Sequence, residues 1–95
     1  MNTIVFNNDA TFELEAFNKN TTISGSTLTS TGNATIYTSN IDDIMALALE
    51  TITSIQILFD EDVIYNSTNL TCKLNSISEY LSGNRVNIQL SFNFE

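Results

Sequence analysis

Apolar and polar residues alternate without interruption over the last eleven residues of the chain, RVNIQLSFNFE. Successive side chains of a β-strand point to opposite sides of the sheet, so this alternation predicts a strand with one apolar and one polar side. We expect the apolar side to face the core of the protein. It consists of Val86, Ile88, Leu90, Phe92 and Phe94.

The polar side of the same strand carries little charge. Its residues are Arg85, Asn87, Gln89, Ser91, Asn93 and Glu95, and four of these six bear an amide or a hydroxyl. We interpret Asn87, Gln89, Ser91 and Asn93 as a candidate interface toward another chain or another repeat of an assembly. The alternative is a side that faces solvent, since the same enrichment in Asn, Ser and Thr runs through the whole chain.

The N-terminal third predicts a β-hairpin followed by a segment of weaker pattern. Residues 2–17 contain two short alternating runs on either side of the turn sequence NNDA. Residues 18–33 are poor in large apolar side chains, so we expect only a short strand near residues 21–24 and a loop or edge strand around Leu28. Residues 34–39, ATIYTS, again have a composition typical of a strand.

One segment, NIDDIMALALE, has the pattern of an α-helix near residues 41–50. Asn40 is a suitable N-cap, and the helix dipole favours the negative charges of Asp42 and Asp43 in the first turn. The apolar residues at helical spacing are Ile41, Ile44, Met45 and Ala48, with Leu47 and Leu49 alongside. A helix this short is marginal alone, so we expect it to pack against a sheet or another chain.

The segment after the helix predicts a second hairpin. Residues 51–59, TITSIQILF, place Ile55, Ile57 and Phe59 on one side of a strand. The acidic sequence DED at residues 60–62 is expected to form a tight turn into a second strand, VIYN.

Residues 69–84, NLTCKLNSISEYLSGN, admit two interpretations. A strand with a β-bulge at Asn75 or Ser76 accounts for the change of phase in the apolar pattern. A helical turn over residues 76–82 is the alternative, because Ser76 and Glu79 match the S-x-x-E capping box and a glycine follows. The strand is favoured, since SGN is a suitable hairpin loop and the final strand requires a long antiparallel partner.

Together these elements predict a mostly β (α+β) fold. We expect a small antiparallel β-sandwich or barrel-like domain with one short α-helix, in a single domain over residues 1–95, because 95 residues support one hydrophobic core. No run of about 18 apolar residues predicts a membrane span, and no basic segment precedes an apolar stretch as in a secretory signal peptide. We therefore expect synthesis in a cytoplasm and no contact with a membrane.

The formal net charge of −8 arises because cations are scarce. Eleven acidic residues face only three cations, Lys19, Lys73 and Arg85. Surfaces that follow a phosphate backbone need clustered Lys and Arg, so we expect no direct contact with nucleic acid. The polar surface is built from 13 Asn, 13 Thr and 10 Ser instead. This composition suits a protein that works outside a cell or within an assembly.

Side chains that serve catalysis are sparse. The chain has no histidine, no glycine-rich phosphate loop and no nucleophile-elbow motif, so the sequence predicts no enzyme and no cofactor. The single cysteine, Cys72, alternates with Leu70 and Leu74, which predicts a buried apolar side chain rather than a nucleophile. The carboxylates of residues 60–62, with Asn66 nearby, are ligands of the type that a hard cation prefers, but an acidic hairpin turn is favoured.

The cation-poor strands ITSIQILFDEDVIYN and LNSISEYLSGNRVNIQLSFNF resemble the small β-rich structural proteins of tailed bacteriophages, particularly those with AT-rich genomes. The resemblance covers the second half of the chain and is one of pattern, without a diagnostic motif or a transferable functional residue. It implies a non-enzymatic virion component of the head-tail region, the tail or the capsid surface, present in many copies. The implied partners are copies of itself, as a homo-oligomer, and other virion proteins. The implied location is the virion.

A second hypothesis, of a different class, follows from the net charge. A small phage-encoded or mobile-element inhibitor would use its negative charge to bind a basic surface of a host protein. Its target would be a host defence protein or a nucleic-acid-binding protein. Clustering of the acidic residues on one surface would favour this hypothesis, whereas a multi-copy assembly would favour the structural one.

Overall fold

The computed structural model describes residues 2–38 and 40–94, apart from the side chains of Ser82 and Arg85. The described residues form seven β-strands and one α-helix. Their bounds are β1 Asn2–Phe6, β2 Ala10–Ser24, β3 Thr27–Tyr37, α1 Ile41–Ala48, β4 Ile55–Phe59, β5 Asp62–Ser67, β6 Cys72–Ser82 and β7 Arg85–Phe94. The predicted fold class, mostly β and antiparallel with one short helix, is confirmed.

The seven described strands form one antiparallel sheet with the order β5-β4-β1-β2-β3-β7-β6. The segment before β4 bends back to the start of β6, where Ile52 and Cys72 exchange backbone hydrogen bonds of 2.7 and 3.1 Å. The ring of Phe17 in β2 lies 5.6 Å from the ring of Tyr65 in β5, centroid to centroid. The sheet therefore curls round one core in a barrel-like arrangement.

The core inside the curled sheet consists of aliphatic and phenylalanine side chains. Phe6 is fully buried, and its ring centroid lies 6.1 Å from that of Phe12 and 5.8 Å from that of Phe92. Burial of this apolar surface is the main favourable contribution to folding. The buried hydrophobic residues are Ile4, Phe6, Phe12, Leu14, Ala34, Ile36, Ile44, Leu47, Ile52, Ile55, Ile57, Cys72, Ile88, Leu90 and Phe92.

The turn between β1 and β2 confirms the predicted first hairpin. Asn7 and Asn8 both have a positive φ, 55° and 57°, as the two central residues of a type I′ turn require. Asparagine adopts this left-handed conformation more readily than most residues, because its short side chain bonds locally. The backbone N–H of Asp9 closes the turn by donating to the carbonyl of Phe6 at 3.0 Å.

The side chain of Asn7 ties this turn to the segment before β4. Its Oδ1 accepts a hydrogen bond from the backbone N–H of Thr53 at 2.7 Å and another from the Thr53 hydroxyl at 3.1 Å. Its Nδ2 donates to the carbonyl of Thr51 at 3.2 Å, and its backbone N–H donates to the carbonyl of Ser54 at 3.0 Å. One residue therefore holds the β1–β2 turn against the segment that closes the sheet.

Residues 18–33, which we call the arm, form the long end of the β2–β3 hairpin. The expectation of a short strand near residues 21–24 and a loop or edge strand around Leu28 is wrong in extent, because both strands run through the arm without a break. Gly25, at φ 61°, lies in the turn between them. Threonine is β-branched and favours extended backbone, which supports pairing here although few large side chains are present.

The outer part of the arm, residues 22–29, extends beyond the described strands on either side of the hairpin. The described pairing of β3 with β7 ends at Ser30 and Phe94, and the pairing of β2 with β1 ends at Leu14. Ile23 and Leu28 pair across the arm near its turn and are 71% and 67% exposed. The described molecule is accordingly elongated, with extents of 46, 28 and 23 Å.

Gly32, at the base of the arm, has neighbouring atoms too close to leave room for a side chain. A Cβ at Gly32 would lie 2.9 Å from the carbonyl oxygen of Asn18 and 2.9 Å from the ring of Phe94. Lys19, which pairs with Gly32, places its Nζ 4.6 Å from the centroid of the same ring, within range of a cation–π interaction. The ring of Phe94 thus packs directly on the backbone of the arm.

The helix α1 begins and lies as its pattern predicts, with one difference in the buried face. The Oδ1 of Asn40 accepts a hydrogen bond from the backbone N–H of Asp42 at 3.0 Å, which confirms the N-cap. Ile44 and Leu47 are buried, whereas Met45, which was expected on the packing face, is 45% exposed. Met45 lies about 100° round the helix from Ile44, so a helix that packs on one side leaves it at the margin.

The second hairpin, β4–β5, is confirmed at its turn and on its buried face. Asp60 and Glu61 have positive φ values of 48° and 77° and connect the strands. Ile55 and Ile57 are buried, while Phe59 at the end of β4 is 51% exposed.

Strand β6 resolves the two interpretations of residues 69–84 in favour of the strand. Its register against β7 shifts between Leu74 and Ser76, which places the β-bulge at Asn75. Gly83, at φ 63°, lies in the two-residue turn to β7, as expected of SGN. The helical turn over residues 76–82 is wrong, because the long antiparallel pairing with β7 outweighs a local capping box.

Candidate interaction surface

The outer side of β7, opposite the core, presents the residues that the alternation identified. Gln89 and Asn93 are exposed, and Ser91 is half-buried. Asn87, by contrast, is only 4% exposed. Three of the four candidate interface residues are therefore accessible to a partner, whereas Asn87 is buried within the chain.

Asn87 owes its burial to its neighbours on both sides. It pairs with Tyr37 on β3 and with Tyr80 on β6. Side chains directly opposite each other in antiparallel strands have Cβ atoms about 5 Å apart, so two tyrosines leave little room for water around the amide. Of these two rings, Tyr80 remains 46% exposed.

The uncharged character of this side continues on β3. Thr31, Asn33 and Thr35 pair with Asn93, Ser91 and Gln89 in turn. The hydroxyl of Ser91 donates a hydrogen bond of 3.0 Å to the Oδ1 of Asn33. The sequence reasoning did not select these β3 residues, although the alternation in TSTGNATIY carries the signal.

Strands β6 and β2 extend the same surface at its two sides. Ser76 and Ser78 of β6 pair with Ser91 and Gln89, and Asn18 and Asn20 of β2 pair with Asn33 and Thr31. We call this surface the polar face. It comprises Asn18, Asn20, Thr31, Asn33, Thr35, Ser76, Ser78, Gln89, Ser91 and Asn93, none of which is charged. Charged residues border it on the same side of the sheet, because Lys73 pairs with Asn93 and Glu13 pairs with Tyr37.

Two groups of acidic residues lie away from the polar face. Asp60, Glu61 and Asp62 occupy the β4–β5 turn region. A second group lies where α1 packs near the start of β2, around an open cleft of about 340 Å³. Its lining includes three carboxylate residues, Asp9, Asp43 and Glu50, and the apolar Phe12 and Leu47. Among the described residues, no group of three or more His, Cys, Asp and Glu is placed to hold a metal ion.

Cys72 is fully buried at the junction between β6 and the segment before β4. Burial raises the pKa of its thiol from 9.0 to about 11, and the nearby charge of Lys19 opposes this rise only partly. The thiolate is therefore scarce at neutral pH, which agrees with the predicted structural role of this side chain.

Comparison with known proteins adds no further assignment. No protein-family model matches the chain, and no curated protein matches it either. In the described part of the chain, no helix has the length and apolar character needed to span a membrane.

Proposed function

We propose that the chain is a non-enzymatic assembly protein that acts through protein–protein contacts at the polar face. The observation that carries the proposal is the array of uncharged amides and hydroxyls across β2, β3, β7 and β6, in a chain whose formal net charge is −8. Gln89 and Asn93 are its central exposed residues on β7.

An uncharged polar face suits contacts that are repeated many times. Charges buried at an interface lose their hydration, and this cost is recovered only where their pairing is good. Like charges repeated round a ring or lattice also repel one another. Amides and hydroxyls avoid both costs, and they can replace their hydrogen bonds to water with hydrogen bonds to a neighbouring chain.

The setting that we propose is a bacteriophage virion, as a component of the head-tail region, the tail or the capsid surface. This part of the proposal rests on the sequence pattern alone. The partners would be copies of the chain and other virion proteins, with no direct contact to nucleic acid or membrane. The protein would be made in the host cytoplasm and then incorporated into the particle.

Introducing positive charge on the polar face tests the proposal. The variant Gln89→Lys/Asn93→Lys changes two exposed side chains, whereas Asn87→Lys would place a charge in a buried site and unfold the chain. We expect the wild type to form oligomers in size-exclusion chromatography with light scattering, and the double variant to remain folded and to assemble less.

A matched control places the same charge elsewhere. Thr68 and Thr71 are exposed in the connection between β5 and β6, outside the polar face. Thr68→Lys/Thr71→Lys is expected to assemble like the wild type. A wild type that stays monomeric at every concentration, or equal behaviour of both double variants, would contradict the proposal.

The acidic cleft favours the inhibitor hypothesis as a second candidate. Asp9, Asp43 and Glu50 line one open cleft beside α1, where their negative charges would attract a basic partner. Neutralisation by Asp9→Asn/Asp43→Asn/Glu50→Gln should then abolish retention of a specific host protein on the immobilised chain.

The control for this second candidate neutralises the other acidic region. Asp60→Asn/Glu61→Gln/Asp62→Asn removes the same number of charges from the β4–β5 turn region. The inhibitor hypothesis expects this variant to retain the partner. If both triple variants lose the partner, the net charge alone accounts for retention, and if both keep it, neither acidic region binds it. Either result excludes a specific site at the cleft.

A further inference from the structure

Strand β6 lies at one end of the described sheet and has a neighbouring strand, β7, on one side only. At the start of its other side the chain itself is bound, because Cys72 and Ile52 exchange two backbone hydrogen bonds. Beyond Cys72, no described residue outside β7 bonds to the backbone of β6. This side of β6 therefore accepts an extended segment at one end and is open along the rest of its length.

The turn to β7 shows which backbone groups of β6 point to the open side. Ser82 and Arg85 pair across the two-residue turn, in which Gly83 has a φ of 63°. In such a hairpin the flanking pair exchanges both of its backbone hydrogen bonds, and the bonded pairs alternate along the two strands. The residues that direct their N–H and C=O groups away from β7 are then Ile77, Glu79 and Leu81. We call this row of backbone groups the β6 edge.

The side chains along the β6 edge form an apolar, acidic, apolar series. They lie on the core side of the sheet, because Glu79 pairs with the buried Ile88. Ile77 is half-buried, whereas Glu79 is exposed and Leu81 is 78% exposed. Glu79 has no hydrogen bond or ion pair with a described residue. The edge thus carries a single carboxylate, free of a described partner, between two apolar side chains.

An open row of N–H and C=O groups is complementary to an extended chain, which offers the same groups in return. In an antiparallel pair, the residue directly opposite Glu79 would have its Cβ about 5 Å away, where a positive charge is favourable and a negative charge is unfavourable. The β6 edge therefore fits a strand with Lys or Arg opposite Glu79 and apolar residues opposite Ile77 and Leu81.

The edges of a second copy fit this requirement poorly. Two β6 edges that pair antiparallel over residues 77–81 place Glu79 opposite Glu79, which is unfavourable. Strand β5, at the other end of the sheet, has no cation, and its register against β4 shifts at Ile64. Such a bulge interrupts the ladder and protects a sheet edge from further pairing. Lys19 on β2 already places its Nζ over the ring of Phe94.

We propose that the β6 edge binds an extended segment of another protein as an added antiparallel strand, with Lys or Arg opposite Glu79. Apolar residues two positions before and two positions after that cation lie opposite Leu81 and Ile77. The inference rests on the proposed function in one respect, that the chain acts through protein–protein contacts. It names a second surface for them, since the β6 edge consists of backbone groups beside the polar face.

A chain whose β6 strand carries the opposite charge serves as the first probe. Glu79→Lys changes one exposed side chain, so antiparallel pairing with the wild type sets the new cation opposite Glu79 and Ile77 opposite Leu81. We expect a 1:1 complex in the equimolar mixture. Its dissociation constant should be roughly tenfold lower than that of either chain pairing with itself at this edge. Circular dichroism would verify that the variant remains folded.

Amide hydrogen exchange identifies where the two chains meet. The N–H groups of Ile77, Glu79 and Leu81 point away from β7, so they should exchange rapidly in the free chain and slowly in the mixture. The N–H groups of Ser78 and Tyr80 point toward β7 and should be protected equally in both samples. This alternation of changed and unchanged amides is the signature of a strand added at the β6 edge.

A capped peptide, Thr-Ile-Thr-Lys-Thr-Ile-Thr, is the second probe and requires no variant chain. It carries the proposed cation between two apolar residues, so it should protect the same three amides of the wild type. The matched peptide with Glu in place of Lys should protect them at least tenfold less well at equal concentration.

Glu15→Lys is the control for the first probe. It makes the same change of charge at an exposed position of β2, away from the β6 edge. Its mixture with the wild type is expected to leave the exchange of Ile77, Glu79 and Leu81 unchanged. Equal protection by Glu15→Lys, or by the peptide with Glu, overturns the inference, because the charge opposite Glu79 then selects nothing.

The remaining outcomes also decide the matter. If neither probe protects the three amides, the inference is overturned. If the wild type alone protects them increasingly with concentration, the occupant is a second copy, and the inference of a different protein is overturned.

The same measurements separate this inference from the proposed function. If the wild type assembles, Gln89→Lys/Asn93→Lys disrupts assembly and neither probe protects the edge, only the inference about the β6 edge fails. If the wild type stays monomeric at every concentration while both probes protect the edge, assembly through the polar face fails and the inference about the β6 edge stands.

Discussion

The arm and the core of this small domain both consist of antiparallel strands, but different interactions stabilise them. In the core, alternate side chains such as Ile4, Phe6 and Ile88 are fully or almost fully buried. In the arm, Ile23 and Leu28 remain exposed although their strands pair without a break. Backbone hydrogen bonds and β-branched side chains therefore suffice to extend a hairpin once a buried sheet has fixed its base.

The contrast indicates a division of tasks. The free energy of folding comes from apolar surface enclosed by the curled sheet, so changes there should unfold the protein. The arm contributes little burial, so changes there should alter contacts with other molecules and leave the fold intact. Four predictions test this division, beginning with the largest expected effect.

Removal of a central core side chain should have the largest effect. Phe6 is fully buried and contacts the rings of Phe12 and Phe92. Phe6→Ala is expected to lower the free energy of unfolding by about 3–5 kcal/mol, because it removes apolar contacts and leaves a cavity. Ile23→Ala in the arm, measured by the same urea titration, should cost less than about 0.5 kcal/mol. Equal losses would refute the division.

The hydrogen bonds of Asn7 should give the next largest effect. Asn7 and Asn8 have nearly the same positive φ, so Asn7→Ala and Asn8→Ala lose similar conformational preference. Only Asn7 bonds to Thr53 and Thr51 through its side chain. Thermal and urea unfolding should therefore show an additional loss of about 1–3 kcal/mol for Asn7→Ala. Identical stabilities of the two variants would mean that these bonds contribute nothing.

Alkaline pH should produce a smaller effect through Cys72. Its thiol has a pKa of about 11 in the folded chain against 9.0 ordinarily, so the stability it supports is complete below pH 9 and is lost as pH rises toward 11. We expect a loss on the order of 1 kcal/mol at pH 10, because the unfolded chain ionises there and the folded chain does not.

Cys72→Ala is the reference for this measurement. Tyrosine and lysine side chains in general titrate in the same range of pH. The contribution of the thiol is therefore the difference between the variant and the wild type in how steeply the free energy of unfolding changes with pH. Parallel pH profiles of the two proteins would contradict a raised pKa. In addition, a thiol reagent at neutral pH should react slowly with folded protein and rapidly in urea.

Shortening the arm should have the smallest effect on stability. Asn20 and Thr31 face each other across the arm, so an Asn-Gly turn replacing residues 21–30 can join them directly. The free energy of unfolding should remain within about 1 kcal/mol of the wild type, since little apolar area is removed.

A larger deletion, compared by the same unfolding measurement, shows where the arm ends and the core begins. Removal of Phe17 together with the arm should destabilise the domain clearly, because its ring packs on Tyr65. If the shorter truncation already unfolds the protein, the arm is part of the cooperative fold and the contrast drawn above is wrong.

Local features were predictable wherever one side of an element is buried or a turn needs a special conformation. The alternation in β7, the Asn40 cap and the turns at Asn7–Asn8 and Gly83–Asn84 all depend on neighbours close in sequence. The arm was misjudged because few of its side chains are buried, and its strands persist through pairing with each other. Leu47 rather than Met45 is buried on the helix, because the surface against which the helix packs is formed by strands distant in sequence.

For the candidate interface, the sequence predicted the side of the strand correctly but not the exposure of every residue on it. The alternation correctly placed Gln89 and Asn93 on the outer side of β7, where both are exposed. It could not distinguish Asn87, whose burial depends on Tyr37 and Tyr80 from strands distant in sequence. The contribution of β3 to the polar face likewise required knowledge of which strands are neighbours.

The sequence by itself determined which sides of the strands outside the arm are apolar, the turns, the helix cap, the scarcity of cations and the low charge on the outer side of β7, because these depend on residue type and local spacing. The tertiary structure decided the order of strands, the closure at Ile52 and Cys72, the projection of the arm and the burial of Asn87. These depend on register between distant segments, which is selected by burial of apolar surface across the whole chain rather than by any local signal.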